Sequence, residues 1–258
     1  MNTPVSAVII CKNEERNIAR CIRSLQSVTD DIIIVDSGST DNTIAIAKQF
    51  SKKVYRHSWQ GYSKQKNIGD SYAVHDFILS LDADEELSPM LAQNIAREME
   101  NPQCDAYEFE FLNWFEDRVI HYGGWRHNRH VRLFRKSKIC WNNALVHEGL
   151  ILNKTMTKRL TGFVYHYTAP SRYYYRKKMN RYAMEFAMDK WRMNKYSPFW
   201  KKYASTSFRF VKEYILRMGF LDGEAGLIIA LEEARYTYLK YKLSEKTGDG
   251  KFILSSAK

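Results

Sequence analysis

Long apolar runs are missing from this chain. None reaches the ~18–20 residues that a membrane-spanning helix needs. The N-terminal MNTPVSAVIICKNEE lacks the basic-then-apolar layout of a secretory leader, so a cytoplasmic protein is expected. Cysteine is scarce: Cys11, Cys21, Cys104 and Cys140 form no CxxC pair, which leaves neither a zinc knuckle nor a disulfide framework and favours reduced, mostly buried thiols. No GxGxxG follows the first strand-like run, which disfavours a nicotinamide-dinucleotide enzyme. Internal repeats and low-complexity segments are also lacking.

What is present is a globular composition. The 258 residues are 45% hydrophobic and 27% charged, enough for one catalytic unit with an extension. The net charge of +11 is uneven: residues 1–100 carry 11 Lys and Arg against 14 Asp and Glu, and the basic surplus falls wholly in the rest. Such a surplus suits a surface that meets phosphates, whether of nucleic acid, anionic lipid or a phosphorylated saccharide.

Strand-like and helix-like segments alternate through the first hundred residues. VSAVIIC, DIIIVD, KVYRHSW and DFILSLDAD read as strands. Between them lie a helix opening at Asn13 with Ile18, Ile22 and Leu25 on one face, a second ending near Phe50, and a third over 62–73. A fourth opens at Ser88-Pro89 and carries Leu91, Ile95 and Met99. This order predicts an α/β fold with a Rossmann-like, largely parallel sheet flanked by helices, whose ligands bind beyond the carboxyl ends of the strands. From 106 to 167 the strand candidates AYEFEFLNWFE, HVRLFRK and GFVYHY look antiparallel, separated by polar, aromatic loops. The expected division is a main domain over 1–170, changing character near residue 100, and a basic helical extension over 171–258.

The chemistry concentrates at the strand ends. Asp82-Ala83-Asp84 places two carboxylates at i and i+2, which suits a hard divalent cation completed by a diphosphate; the same acids, with Glu85 and Glu86, would also serve a solvated loop favouring the next helix dipole. Asp36 ends the second strand, where it either accepts hydrogen bonds from a base or ribose or caps a helix. Asn13 and Glu14 carry the same ambiguity.

IICKNEERNIARCIRSL, DIIIVDSGSTDNT, KQKNIG and FILSLDADEEL, in this order and spacing, resemble the nucleotide-sugar domain of family 2 inverting glycosyltransferases with the GT-A fold. The resemblance covers roughly residues 4–100 and implies a catalytic domain over 1–170 with a nucleotide-sugar half over 1–100 and an acceptor half over 101–170. It implies that Cys11, Asn13, Glu14, Asp36, Lys66 and Asp82 hold the nucleoside of a UDP-sugar, and that Asp84, with Asp82 beside it, holds Mg²⁺ or Mn²⁺ on the diphosphate. Cys11 stands where relatives often carry Thr. Downstream, HYGGWRHNRHVRLFR, NNALVHEGL, the HY at 166–167 and KEYILRMGFLDGEAGL are similar to the subgroup that adds glucose to heptose of the lipopolysaccharide inner core in a β-1,4 linkage.

Inversion needs a base for the acceptor hydroxyl. Glu148 in VHEG occupies the place where the family puts an acidic base, with Asp117 in reserve; a salt bridge is the plainer role for Glu148. Arg132 and Arg135 alternate with apolar residues along a strand, where they either meet the diphosphate or face solvent. His147 and His166 either complete the metal shell, touch the diphosphate or are ordinary loop histidines, and Trp125 and Trp141 offer flat faces for a sugar or simply pack.

In SPFWKKYASTSFRFVKEYILRMGF, the residues Phe199, Tyr203, Ser207, Phe210, Tyr214 and Met218 share a helical stripe, with basic residues elsewhere. That pattern reads as a helix on an anionic membrane surface, or as one packed on the catalytic domain or a second subunit in a homo-oligomer. The expected partners are thus a nucleotide sugar, a lipid-linked heptose-containing core oligosaccharide and the inner face of the bacterial inner membrane, where the protein would be peripheral, and not nucleic acid. A metal-dependent phosphohydrolase and a polyanion-binding module are the readings from other classes. The first lacks a Ser or Thr soon after the second acid, and the second leaves the strand-end motifs unexplained.

Overall fold

The computed structural model describes residues 3–126, 128–142, 148–152 and 155–245. The chain forms two compact units, one from residues 1–112 and 128–166, the other from 113–127 and 167–258.

The first unit begins with β1 (Val5–Cys11), α1 (Ile18–Leu25), β2 (Asp31–Asp36), α2 (Thr43–Ala47), β3 (Lys53–Arg56), α3 (Tyr62–Tyr72) and β4 (Phe77–Asp82). A short β5 (Glu85–Leu87) and α4 (Pro89–Glu98) follow, then β6 (Ala106–Phe115). After β7 (Arg118–Val119), which belongs to the second unit, come β8 (Asn128–Arg135) and β9 (Thr157–Ala169). The sheet order is β3-β2-β1-β4-β8-β6-β9-β5, with β7 paired to β6. β1 to β4 run parallel, β8 pairs antiparallel with β4 and with β6, and β5 pairs antiparallel with β9. This is the expected mixed α/β sheet.

The central strands are buried on both faces, which explains their unbroken apolar runs. Alternate residues separate into two cores. Ala7 and Ile9 join Ile18, Ile22 and Leu25 of α1 and Leu91 and Ile95 of α4, while Val8 and Ile10 join Ile68 and Tyr72 of α3. Ser88 accepts a hydrogen bond from the Leu91 amide and Pro89 follows at the first helical position, so α4 starts where its sequence predicts.

Four local expectations are corrected. Helix α1 starts at Ile18, not Asn13, because Asn13 adopts a left-handed φ of 57° that an asparagine tolerates but a helix does not. The third strand stops at Arg56. Glu85 and Glu86 lie on β5 rather than in a helix-capping loop. β9 is longer than GFVYHY, running through Ala169.

The second unit holds α5 (Arg172–Arg192), α6 (Phe199–Phe210) and α7 (Gly223–Leu243). A π turn, Val211–Leu216, prolongs α6 directly, and a 3₁₀ turn, Gly219–Asp222, leads into α7. Phe115, Ile120, Tyr175, Met179 and Ile229 form its core. Among the described residues, no helix is long and apolar enough to cross a membrane.

Gly162 is the tightest approach in β9. Its φ is +115°, and a Cβ there would lie 2.6 Å from the Leu91 backbone nitrogen at the start of α4. Gly162→Ala is expected to destabilise the protein by about 2–4 kcal/mol, combining backbone strain with overpacking. Urea unfolding measures this, and a change below about 0.5 kcal/mol would contradict the packing described.

Candidate active site

The parallel strands end together. In register, Cys11 lies opposite Asp36 and Ile10 opposite Asp82, so the carboxyl ends of β1, β2 and β4 meet at one edge of the sheet. Loops there are tied by backbone-directed bonds. The amides of Asn13, Glu14 and Glu15 donate to Ser39 Oγ (2.9 Å), Thr43 Oγ1 (2.7 Å) and Asp41 Oδ2 (3.2 Å), and the Thr40 amide donates back to Asn13 Oδ1 (2.8 Å). The turns after β1 and β2 are therefore built as one latch.

Asp36 is completely buried. It accepts from the amides of Gly38 (2.8 Å) and Ser39 (3.0 Å) and from the Ser39 hydroxyl, and the Arg56 guanidinium lies 3.9 Å away. Cys11 Sγ sits 3.8 Å from Asp36 Oδ1; burial first, then the Asp36 charge, pushes its thiol up, so it is an inert proton donor.

Below the edge lies a buried ion cluster. Lys66 of α3, 1% exposed, places Nζ 3.0 Å from Asp82 Oδ1 and 4.6 Å from the Trp141 ring centre. Arg132 of β8 donates to Asp82 Oδ2 at 3.3 Å and to Glu85 Oε1 at 2.5 Å, and Glu85 Oε2 accepts from the Asp82 amide at 2.9 Å. Burial works to raise the Asp82 carboxyl, yet Lys66 and then Arg132 hold it well below the usual carboxylate range. For Glu85 burial wins, aided by the Asp82 charge, and its carboxyl is pushed up.

At the mouth, Asp84 Oδ2 lies 3.4 Å from His166 Nε2 on β9, which stands in register with Glu85. Burial alone would lower the His166 imidazole, but Asp84 first among the acids pushes it up. His130, two residues before Arg132 on β8, packs edge-on against Phe111; desolvation, then the cations Arg132, His166 and Lys66, push it down to about 4.

The other sequence candidates fall elsewhere. Arg135 pairs in register with Phe77, at the opposite end of β4 from Asp82, and binds Asp76 (3.3 Å) and Asp105 (2.9 Å). Trp141 is a buried packing residue against Phe134 and Lys66, not an open platform. Trp125 packs between Phe115 and Tyr175 in the second unit, where Asp117 is exposed beside Arg118. Glu148 is exposed, next to the Asn142–Gly149 backbone bond of 2.8 Å, and Ser63 Oγ holds Asn142 at 2.7 Å. His147 lies outside the described residues.

Sequence reasoning missed Glu85, His130 and Asp70. Glu85 carried a signal, since it alternates with Ala83 and Leu87 as an inward position, and His130 shares the strand face of Arg132 although it is itself exposed. Asp70, one helical turn after Lys66, carried none. Burial pushes it up to about 7 against the pull of Lys66 and Lys136, and its Oδ1 makes no hydrogen bond.

Residues 6–183 match the Glycosyl transferase family 2 domain. The chain belongs to this glycosyltransferase family. An uncharacterised glycosyltransferase of Rickettsia typhi is 30% identical over 98% of this chain and 90% of its own. The lipopolysaccharide core biosynthesis glycosyltransferase LpsC of Rhizobium meliloti is 29% identical over 92% and 90%. Among crystal structures, S. aureus TarS aligns at TM-score 0.45 and 15% identity, over 71% of this chain and 39% of that one. Glucosyl-3-phosphoglycerate synthase from Mycobacterium tuberculosis, solved with Mg²⁺ and uridine diphosphate, aligns at 0.35 and 19% over 43% of each. These alignments span less than half of either solved chain. Membership of a glycosyltransferase family sets aside the phosphohydrolase reading, and an Asp82 clamped by two cations is no free aspartyl nucleophile.

Two stability predictions follow from the buried charges. Arg132→Met strands Glu85 and is expected to cost about 3–5 kcal/mol, most of it regained in Arg132→Met/Glu85→Gln; equal losses in the single and double variants by urea unfolding would contradict the pairing. For Asp70, the folded value of about 7 exceeds the unfolded ~3.9, so the unfolded chain gives up this proton first. Stability should therefore fall as pH rises across that window and level off above it. Asp70→Asn should exceed the wild type in stability near pH ~8 and approach it near pH ~4, and a pH-independent difference in unfolding free energy would refute the assignment.

Proposed function

We propose that this glycosyltransferase is an inverting, metal-dependent hexosyltransferase. It moves glucose from UDP-glucose onto a heptose of the lipid-linked lipopolysaccharide inner core and forms a β-1,4 linkage at the inner face of the inner membrane. The observation that carries the reading is Asp84 facing His166 at 3.4 Å, directly beyond strand ends whose other acid, Asp82, is already neutralised. The likeness to LpsC over most of both chains supports the class of acceptor.

The donor set fits a divalent cation that is only partly held by protein. Asp82 has both oxygens engaged by Lys66 and Arg132, which leaves Asp84 as the carboxylate and His166 as the imidazole. Among the described residues no third carboxylate, thiol or imidazole completes a cage. A cation with so few protein ligands takes the rest from water and phosphate, as Mg²⁺ and Mn²⁺ do in nucleotide sites. Bound there, Mg²⁺ or Mn²⁺ would supply the charge that stabilises a departing diphosphate.

The chain's own residues do the remainder. The Cys11–Glu14 turn and the Asp36 turn shape the nucleoside pocket, with Asp36 acting through the backbone it fixes. Lys66 and Arg132 keep Asp82 ionised and its strand end rigid. Glu148 takes the proton from the acceptor hydroxyl on the face opposite the diphosphate.

Transfer from UDP-glucose to a heptose acceptor, followed by uridine diphosphate release and NMR of the product, tests this. Asp84→Ala and EDTA are expected to abolish turnover, and Glu148→Gln to lower kcat about 10²–10⁴-fold with little change in donor KM. Undiminished turnover of Asp84→Ala would remove the metal role, and an α-anomeric product would remove inversion.

A further inference from the structure

The helix Phe199–Leu216 presents the wrong face to water. Some of its charged residues pair within the second unit: Arg209 binds Glu233 at 2.5 Å, Lys202 binds Glu245 at 2.9 Å, and Glu213 binds Arg217, just past the helix, at 3.1 Å. Its exposed positions are mostly apolar or aromatic, with Phe199 71% and Tyr203 57% exposed. Trp200 is 57% exposed, Phe208 62%, Ile215 53% and Leu216 65%, with Val211 beside them and Phe220 just beyond the helix. No residue of α6 is buried. A helix that only covers its own unit turns its apolar stripe inward, so this arrangement implies an apolar partner outside the chain.

The charges say what that partner is. Lys195 and Lys212 form no ion pair among the described residues, nor does Lys201, whose ammonium lies 5.1 Å from the Tyr241 ring centre, while Glu213, Glu233 and Glu245 are each occupied by an arginine, a lysine or a tyrosine. From Phe199 to Leu221 the chain holds five Lys and Arg and one acid. A second copy would bring the same surplus against itself, so charge complementarity favours an anionic surface over self-association. The chain is too short of apolar length here to span a bilayer, but a helix with an apolar face and unpaired lysines lies in the lipid headgroup plane.

We infer that the outward face of Phe199–Leu221, led by Trp200, Phe208, Ile215 and Leu216, inserts into the headgroup–acyl boundary of an anionic lipid surface, with Lys195, Lys201 and Lys212 on the headgroups. Two lipid contributions are separable. The apolar side chains set the depth and the strength, and the lysines set the preference for anionic over zwitterionic headgroups.

The full-length protein is sedimented with vesicles of phosphatidylcholine alone and of phosphatidylcholine mixed with phosphatidylglycerol. The wild type is expected to bind the mixed vesicles, to bind the neutral ones much more weakly, and to be released by salt. Phe208→Glu and Ile215→Glu should each lower partitioning by about tenfold or more, the loss of one large apolar side chain from lipid. Lys195→Gln/Lys201→Gln/Lys212→Gln should erase the anionic preference while leaving residual binding. These residues lie outside the transfer site, so glucose transfer to a soluble heptose acceptor is expected to persist in each variant, which keeps this test independent of the assigned reaction. Thermal melts establish that the variants fold. Wild-type indifference to mixed vesicles, unchanged binding by both glutamate variants, or a wild-type dimer in solution that these variants dissolve would overturn the assignment, the last by making a second copy the occupant.

Discussion

The Asp82 carboxylate, held between Lys66 and Arg132, is the constraint on which the site rests. A carboxylate at the end of a buried strand loses most of its hydration and would take a proton unless cations stood beside it. Here two do, one from α3 and one from β8, at 3.0 and 3.3 Å. Each cation is itself buried and needs its acid, so removing any member leaves a charge that the interior cannot solvate. Glu85 completes the arrangement by binding Arg132 with one oxygen and the Asp82 amide with the other. The strand end, the β4–β5 turn and β8 are thereby fixed to each other. The two aspartates of the DAD sequence consequently differ: Asp82 is consumed by the scaffold, and Asp84 is turned toward His166.

The other wall of the crevice is made rigid by different means. Among the described residues no ion pair joins the Asn13–Glu15 turn to the Ser39–Thr43 turn; five backbone amides that donate to side-chain oxygens do. The left-handed Asn13 permits that exchange, because its side chain reaches the Thr40 amide while its own amide meets Ser39. A loop fixed in this way before any ligand arrives loses little further entropy on binding. Asp36, shut from solvent and saturated by its own turn, contributes shape rather than a free acceptor.

Much of this was legible in the sequence, for a physical reason. Period-two alternation and capping are local, so β1, β2, β4 and the start of α4 could be read directly, and a parallel sheet then dictates that the strand ends gather. What failed was long-range or depended on face. Arg132 and Arg135 look equivalent in VRLFR, yet an odd spacing on a strand puts them on opposite faces, and the antiparallel pairing of β8 with β4 sends Arg135 to the far end. Trp141 looked like a sugar platform because an isolated aromatic in a polar loop carries no sign of what covers it. Asp70 could not be recognised at all, since its altered proton affinity comes from burial that only the packed structure creates.

The α6 region shows the same limit in sharper form. A stripe drawn from hydrophobicity alone selects Phe199, Tyr203, Ser207, Phe210, Tyr214 and Met218; Phe199, Tyr203, Ser207 and Met218 do face water, but Phe210 and Tyr214 turn partly inward, while Phe208, Ile215 and Leu216 join the exposed face. Two features unknown to a helical wheel cause this. The π turn at Val211–Leu216 adds residues per turn and rotates everything after it relative to an ideal helix. The ionic anchors of the helix are Arg209 and Lys202, whose acids lie on α7 or just beyond its end, so ionic partners help choose which side faces inward. Partly exposed ion pairs contribute little each, and the apolar residues left outside add nothing to the stability of the isolated unit. The orientation is therefore one that folding energetics within the unit do not reward, which is the expected mark of a surface arranged for something beyond the chain.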